Sequence, residues 1–391
     1  MKRRAFVTNT FAASLAAHSS FAAESKLRVA VIGHTGRGNY GHGIDTMWLD
    51  MLETEIVGVA DANATGLAAA QKKLKVKKGF ADYVQMLKAL KPDIAAIGPR
   101  HIDQHREMIL AAIDAGVKGI YMEKPFCRSL AEADEVIAAC KAKGVKLAIA
   151  HRNRYHPVLP RITQLIKDGA VGQVLEFRAR GKEDARGGAL DLWVLGGHLF
   201  NLIHFFAGEP LSCSASVLLK AKPVTKADLT EGAEGVGPLA GNEVHARFEM
   251  QSGVPTFFDS VQNAGVKTTG FGVQIIGTQG IIDLRIDEEP LAQYLKGSPF
   301  DPVKEPRTWV PITSAGIGKP EPISDIKSVM NHVFGGRDLI AAMKENREPL
   351  CSAEDGRVIL EMVSGIFESH RLNGQRVALP LKDRVNPLTK L

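Results

Sequence analysis

Residues 27–43 read LRVAVIGHTGRGNYGHG. Leu27 to Ile32 is an apolar run of strand length, and five glycines follow in the eleven positions 33–43. An apolar strand running into a glycine-rich turn marks the start of a βα unit, because glycine permits a sharp turn and a close backbone approach to a ligand. Unpaired amides there, with the positive end of a following helix, favour a phosphate. Tyr40, Ile44, Met47, Trp48, Met51 and Leu52 recur at helical spacing and predict that helix.

Two registers of the loop fit. Gly36 to Gly41 matches G-x-G-x-x-G letter for letter. The turn must begin where the strand ends, however, and the strand ends at Ile32. Gly33 is therefore expected to make the tight turn, Thr35 to stand in the second glycine position, and Gly38 to let helix and strand pack closely. Gly36 gives room beside a pyrophosphate, with Arg37 next to it. The second apolar run, Ile56 to Ala60, ends at Asp61, 28 residues after Gly33. A carboxylate there accepts from ribose hydroxyls and repels a 2′-phosphate, which favours NAD. Arg37 keeps NADP open, and a helix N-cap is the structural alternative for Asp61.

Outward from this unit, apolar runs recur at 94–97, 119–122 and 147–150. Helix-like stretches separate them, such as Ile109, Ala112 and Ile113, then Leu130, Ala133, Val136 and Ile137. The pattern predicts a doubly wound, parallel Rossmann domain over 26–150. After Pro157 the period changes to two: Leu175, Phe177 and Ala179 alternate with Glu176, Arg178 and Arg180, and 243–250 does the same. Residues 272–286 read as a hairpin turning at Gly277–Gly280. A C-terminal α+β domain over 151–391, with a large open and mainly antiparallel sheet, is expected. Residues 222–241 and 287–325 read as long loops, and a last helix opens with a capping box at Ser352–Asp355.

The chain has 391 residues and a formal charge of +6. Without Lys2, Arg3 and Arg4 the charge falls to about +3, too weak a bias to argue for nucleic acid. Cys127, Cys140, Cys213 and Cys351 are far apart, with no metal-ligand spacing and no disulfide framework. No metal site is expected. Residues 1–25 have a basic start, a mildly apolar middle and small residues near Ala22, the layout of a secretory signal. Arg3-Arg4-Ala5-Phe6-Val7 resembles the twin-arginine type, which implies the twin-arginine export machinery as a partner and a periplasmic or exported protein. A cytoplasmic protein follows if the leader is not a signal. No other stretch is long and apolar enough to span a bilayer.

Residues 121–129 read YMEKPFCRS. Glu123-Lys124-Pro125 at a strand end resembles the E-K-P motif of the glucose–fructose oxidoreductase/inositol dehydrogenase family (Gfo/Idh/MocA). The similarity extends through the loop at 33–38, His105, HRNRYHP at 151–157, GGHLFNLIHFFAGEP at 196–210 and the segment 347–381. The resemblance implies an NAD(P)-dependent oxidoreductase acting on a secondary alcohol of a sugar, sugar derivative or cyclitol. It implies cofactor contacts at Pro99, His105, Glu123 and Lys124, beside Gly33, Thr35, Gly36, Arg37, Gly38 and Asp61. Lys124 would stabilise the developing alkoxide. The resemblance also implies a homo-oligomer, a dimer or tetramer, formed through the open sheet face.

His198, Asn201 and His204 fall on nearly one helical face. The family commonly places an Asp where Asn201 stands, with a nearby His as base. Asn201 cannot accept a proton, though it can bond a hydroxyl, so either His204 acts as base without a carboxylate beside it or the chemistry is altered. Arg154, Arg178, Arg180, Lys182, Arg186, Trp193 and His198 are candidate substrate residues, with Trp193 as a stacking platform. Export of a nicotinamide protein implies a tightly retained cofactor and a redox cycle closed on the protein. A redox-neutral NAD-dependent glycosidase or epimerase, and a non-catalytic NAD-binding sensor, are the alternatives.

Overall fold

The computed structural model describes residues 25–265, 271–302 and 305–391. The expected leader therefore falls on residues outside the described ones, save Ser25. Six strands form the first sheet: β1 (Leu27–Ile32), β2 (Thr54–Ala60), β3 (Gly79–Phe80), β4 (Ile94–Ile97), β5 (Gly119–Met122) and β6 (Lys146–Ile149). Their order is β3-β2-β1-β4-β5-β6 and all pairs are parallel. Central strands such as β4 and β5 are buried along their whole length, which is why they read as unbroken apolar runs. Helices α1 (Ala64–Leu74), α2 (Tyr83–Leu90), α3 (His105–Asp114) and α4 (Leu130–Lys143) connect them. The Asn63, Asp82 and Ser129 side chains cap α1, α2 and α4 by accepting first-turn amides.

The helix expected after β1 does not form. Residues 35–46 are turns and bridges, and only a single 3-10 turn, Met47–Asp50, follows. Gly38 (φ +89°) and Gly43 (φ +103°) sit in left-handed backbone that a right-handed helix excludes. The apolar spacing is still used, since Ile44, Met47, Trp48 and Met51 are buried against Val29 and Val31. The missing cover comes from far along the chain. After α5 (Val158–Lys167), α6 (Ala189–Val194) and α7 (Gly196–Ala207), helix α8 (Val333–Glu345) returns to the first sheet. Its Leu339 and Ile340 join the same apolar layer.

The second sheet contains eleven strands among the described residues. In chain order these are β7 (Val174–Arg180), β8 (Pro210–Leu219) and β9 (Lys222–Pro223), then, after a separate hairpin of β10 (Thr230–Gly232) and β11 (Gly237–Leu239), β12 (Glu243–Met250) and β13 (Pro255–Val261). There follow β14 (Gly272–Gly277), β15 (Gly280–Arg285), β16 (Ala292–Lys296), β17 (Val310–Thr313), β18 (Gly316–Ile317) and β19 (Val377–Ala378). The order is β18-β17-β16-β15-β14-β7-β13-β12-β8-β19, with β9 on β8. Only β7 and β13 pair in parallel. The stretches 222–241 and 287–325, expected as loops, thus hold short strands and a hairpin. The hairpin predicted at Gly277–Gly280 and the capping box that opens α9 (Ala353–Arg371) are both present. One face of the second sheet packs on α7 and α9, and its core is continuous with that under β4 and β5.

Candidate active site

The chemistry-bearing side chains gather at the carboxyl ends of the parallel strands, where chain order reverses between β1 and β4. A Cβ on Gly33 would lie 2.0 Å from the Tyr40 ring, so the loop can fold over Tyr40 only with glycine there. Tyr40 donates its hydroxyl to Asp61 at 2.8 Å, and the Thr35 hydroxyl does so at 2.6 Å. The amides of Thr35 (3.1 Å) and Asn63 (2.9 Å) complete the set. Burial works against ionisation of Asp61, but these donors outweigh it and hold the carboxyl below its usual range. Asp61 thus fastens the glycine loop to the end of β2, and Asn63 is the N-cap of α1.

A Cβ on Gly38 would lie 2.2 Å from the Arg100 amide nitrogen. Gly38 therefore lets the loop touch the segment after β4; it does not seat a helix on a strand. The space beside Gly36 is open, with nothing within 4 Å of a would-be Cβ. That opening, flanked by Thr35 and Arg37 at the strand ends, fits a dinucleotide pyrophosphate. Arg37 is ion-paired to Asp103. His105 is fully buried, its ring nitrogens each 2.7 Å from the carbonyl oxygens of Pro99 and Pro125. It ties together the loops after β4 and β5 and has no exposed atom for a ligand, contrary to its expected direct contact with cofactor.

Glu123 and Lys124 follow β5, and the Lys124–Pro125 bond is cis. The Glu123 carboxylate accepts from the Lys124 amide at 2.7 Å and faces His42 Nδ1 at 2.8 Å. Burial pushes its pKa up, but the His42 bond and the Lys124 charge prevail and bring it to about 2. Lys124 Nζ donates to the Val194 carbonyl at 2.9 Å. It lines a cavity of about 180 Å³ together with Glu123, His42, Arg152, His198 and His332.

His198 comes from α7. Its Nδ1 lies 3.3 Å from His151 Nδ1, and the two rings meet edge to face. One of these nitrogens must donate and the other accept, which leaves Nε2 of His198 as its second bonding atom. Burial pushes both pKa values down, reinforced by neighbouring positive charge: His151 to about 3 and His198 well below its usual value. Both rings are neutral at neutral pH. His332 behaves alike, pushed to about 4 by burial, with its Nδ1 3.1 Å from the Tyr121 hydroxyl.

Of the other expected residues, the structure brings Lys182 and Arg186 to this cavity and leaves His204, Asn201, Arg154, Arg178, Arg180 and Trp193 outside its lining. His204 has its Nε2 at 3.0 Å from Glu209 and its Nδ1 within ion-pair distance, 3.3 Å, of Asp355. These carboxylates overcome burial and raise its pKa. The expectation of a base with no carboxylate beside it is corrected on that count. Asn201 is buried and its Nδ2 faces Cys351 Sγ at 3.3 Å. Arg154 is held by the Leu350 carbonyl and lies over the Phe205 ring. Arg178 and Arg180 line a separate hollow on the open sheet face, paired with Glu176 and Glu183. Trp193 is buried in a narrow apolar crevice behind Lys124, not displayed as a platform. Among the described residues no group of three or more His, Cys, Asp or Glu is disposed to hold a metal.

Sequence reasoning missed His42, Arg152 and His332. His42 lies inside the quoted glycine loop and Arg152 inside HRNRYHP, so proximity to a motif was their only signal; His332 had none.

Residues 27–151 match the Gfo/Idh/MocA family model, described as an oxidoreductase family with an NAD-binding Rossmann fold. The chain is 34% identical over 128 residues to a D-apiose dehydrogenase of Paraburkholderia graminis, covering 32% of this chain and 33% of that one. It is 24% identical over 255 residues to a levoglucosan dehydrogenase of Pseudarthrobacter phenanthrenivorans, covering 57% and 63%. The chain thus spans about one third to two thirds of the length of the curated relatives it matches. Among solved structures, a levoglucosan dehydrogenase in complex with NADH superimposes with a TM-score of 0.71 at 20% identity, covering 91% of this chain and all of that one. A scyllo-inositol dehydrogenase from Lactobacillus casei gives 0.65 at 17% identity, covering 90% and 99%. At these identities the likeness shows a shared fold.

Proposed function

We propose, for a chain whose residues 27–151 match the Gfo/Idh/MocA oxidoreductase family model, that it oxidises a secondary alcohol of a sugar, sugar derivative or cyclitol, with Lys124 and His198 as the working pair. The observation that carries this reading is their presence in one cavity, at the strand ends below the glycine loop.

The Lys124 ammonium has one proton on the Val194 carbonyl and two left for a substrate hydroxyl. Its charge stabilises the oxygen as that hydroxyl loses its proton. Neutral His198 takes the proton at Nε2, with His151 fixing the ring through Nδ1. Glu123 stays ionised and balances the Lys124 charge. Bound NAD supplies the acceptor for the hydride that leaves the same carbon.

The leader carrying Arg3 and Arg4 favours a particular form of this reading. A folded protein exported with its cofactor has no free NAD to exchange, so the cycle closes on retained cofactor. The hydride is then passed to a second carbonyl, or returned to the same sugar after a bond is cleaved or inverted. A homo-oligomer through the open face of the second sheet belongs to the same reading. Among the described residues no helix is long and apolar enough to cross a membrane.

The test is to express the chain without residues 1–25, denature it, and identify released nucleotide by mass spectrometry. The NAD-loaded protein is then mixed with a panel of sugars and cyclitols and followed at the NADH absorbance. Reduction of bound NAD that Lys124→Met abolishes supports the reading. Bound NAD with no reduction by any panel member overturns it in favour of a sensor.

A further inference from the structure

Two cations in the cavity have no part in the proton and hydride steps. Lys182 and Arg186 stand on the segment joining β7 to α6 and line the cavity from there. That segment is pinned from beneath. Glu183 is buried and takes the Val261 amide at 2.8 Å, and its own amide donates to buried Asp191 at 3.0 Å. Asp191 also accepts from the Ser260 hydroxyl at 2.7 Å. A loop held this firmly presents its intervening side chains in fixed directions. Arg186 is gripped as a fork by Asp184, with Nε on one oxygen at 3.0 Å and Nη2 on the other at 2.5 Å, and neither bond uses Nη1. Lys182 forms no direct ion pair among the described residues, its charge reaching Asp184 only at longer range, and its Nζ lies 5.8 Å from the Phe271 ring centroid.

The acids on the cavity wall offset its cations only in part: Arg100, Lys124, Arg152, Lys182 and Arg186 line it against Glu123, Glu234 and Asp287. Glu123 is engaged by His42 and the Lys124 amide, and Asp287 is paired with Arg152. Glu234, from the β10–β11 hairpin, makes no direct ion pair among the described residues but lies close enough to act on Arg186. Arg100 abuts Gly38 and belongs to the dinucleotide end. The lining as a whole therefore carries an excess of positive charge, to which Lys182 and the free edge of Arg186 contribute apart from the Lys124 cation that serves the reacting oxygen.

We infer that the substrate is an anionic sugar, one bearing a carboxylate, which Lys182 and the free edge of Arg186 engage while a ring hydroxyl meets Lys124 and His198. This rests on the oxidoreductase reading above and narrows its substrate class. A guanidinium edge and an ammonium on one segment of the lining are the donors that a carboxylate takes. A neutral sugar would leave Lys182 without an ion-pair partner, and the free Arg186 donors unmatched, as the cavity is desolvated.

The experiment separates binding from turnover. The NADH-loaded protein is titrated with D-glucuronate, D-galacturonate and D-gluconate, and with D-glucose, D-galactose, myo-inositol and D-glucose 6-phosphate. NADH fluorescence reports binding without any reaction. The expected result is that at least one sugar acid binds roughly tenfold or more tightly than its neutral counterpart, the value of one charge-assisted bond. Lys182→Gln and Arg186→Gln each shrink that ratio towards one, and circular dichroism confirms that both variants fold. Equal binding of acids and neutral sugars, a ratio unchanged in both variants, or tighter binding of the sugar phosphate overturns the inference. Reduction of the NAD-loaded protein by the same panel is scored separately: its failure, with the binding preference intact, counts against the oxidation reading alone.

Discussion

Lys124 Nζ donates to the carbonyl oxygen of Val194 at 2.9 Å, a bond that joins the end of β5 to the end of α6. The acceptor is main chain, so its position depends on the backbone of α6 and on no side chain that substitution could remove. Replacing Lys124 by Met keeps the stem and deletes the charge. The expected loss is about 10²- to 10⁴-fold in the rate of hydride transfer, with NAD still bound. Arg at the same position does not restore the rate, because a planar guanidinium cannot occupy the site of a compact ammonium. Single-turnover reduction of bound NAD, alongside nucleotide release, measures both quantities.

His198 and His204 stand on one helix and part company in function. His198→Asn is expected to slow proton removal roughly 10²-fold or more while folding normally. His204→Asn breaks the pairing with Asp355 and Glu209 and costs about 1 to 3 kcal/mol in stability. The folded pKa of His204 is raised, so its contribution is fully present below the unfolded value of about 6.5 and is lost as pH rises through the folded value. Urea unfolding at a series of pH values should show wild type and His204→Asn converging at alkaline pH. A gap that widens with rising pH would contradict the pairing.

The buried neutral histidines give the opposite slope. His151 and His332 are lowered to about 3 and about 4, so the unfolded chain binds protons first. Stability should therefore fall as pH drops below about 6.5, by about 1.4 kcal/mol per pH unit for each histidine. His332 has φ +65°, a conformation that Asn tolerates. His332→Asn removes one titrating group without straining the backbone, and the acid slope should become shallower by about one proton. Denaturant midpoints between neutral pH and pH of about 5 test this.

Gly36 and Gly38 differ in what surrounds them. Ala at Gly36 meets nothing within 4 Å and bears only the positive-φ penalty of about 1 kcal/mol. Ala at Gly38 meets the Arg100 backbone at 2.2 Å and must push the loop away from the segment after β4. Stability of the stripped protein, by urea unfolding, is expected to fall much further in Gly38→Ala than in Gly36→Ala, whose Cβ instead occupies the space proposed for the pyrophosphate. Equal losses would mean that the contact with Arg100 does not hold the loop.

Much of the architecture was legible because it follows from local pattern. β4 and β5 are buried along their length and could be nothing but apolar runs, while β7 and β12 carry a clean period of two. Lys124 was legible through its motif. The helix after β1 was misread because Ile44, Met47, Trp48 and Met51 have helical spacing yet reach the same apolar layer from turns. His204 was chosen over His198 because spacing places them on one face but does not say how far along the axis the cavity lies. Six residues of helix separate them by about 9 Å, and only one reaches Lys124. Arg152 and His332 enter the cavity from segments remote in sequence, and no local pattern announces such a meeting.

Helix α8 covers the face of the first sheet that the turns after β1 leave partly open. Its residues, 333–345, emerge from the ribosome long after the strands they cover. Through most of synthesis, Val29, Val31, Ile94 and Tyr121 therefore lack part of their apolar cover, and His332 cannot yet meet Tyr121. The dinucleotide end of the molecule is finished from its carboxyl-terminal half. Cofactor loading must accordingly be a late event in the life of each chain, and nascent chains stopped before residue 345 would expose the layer that α8 conceals.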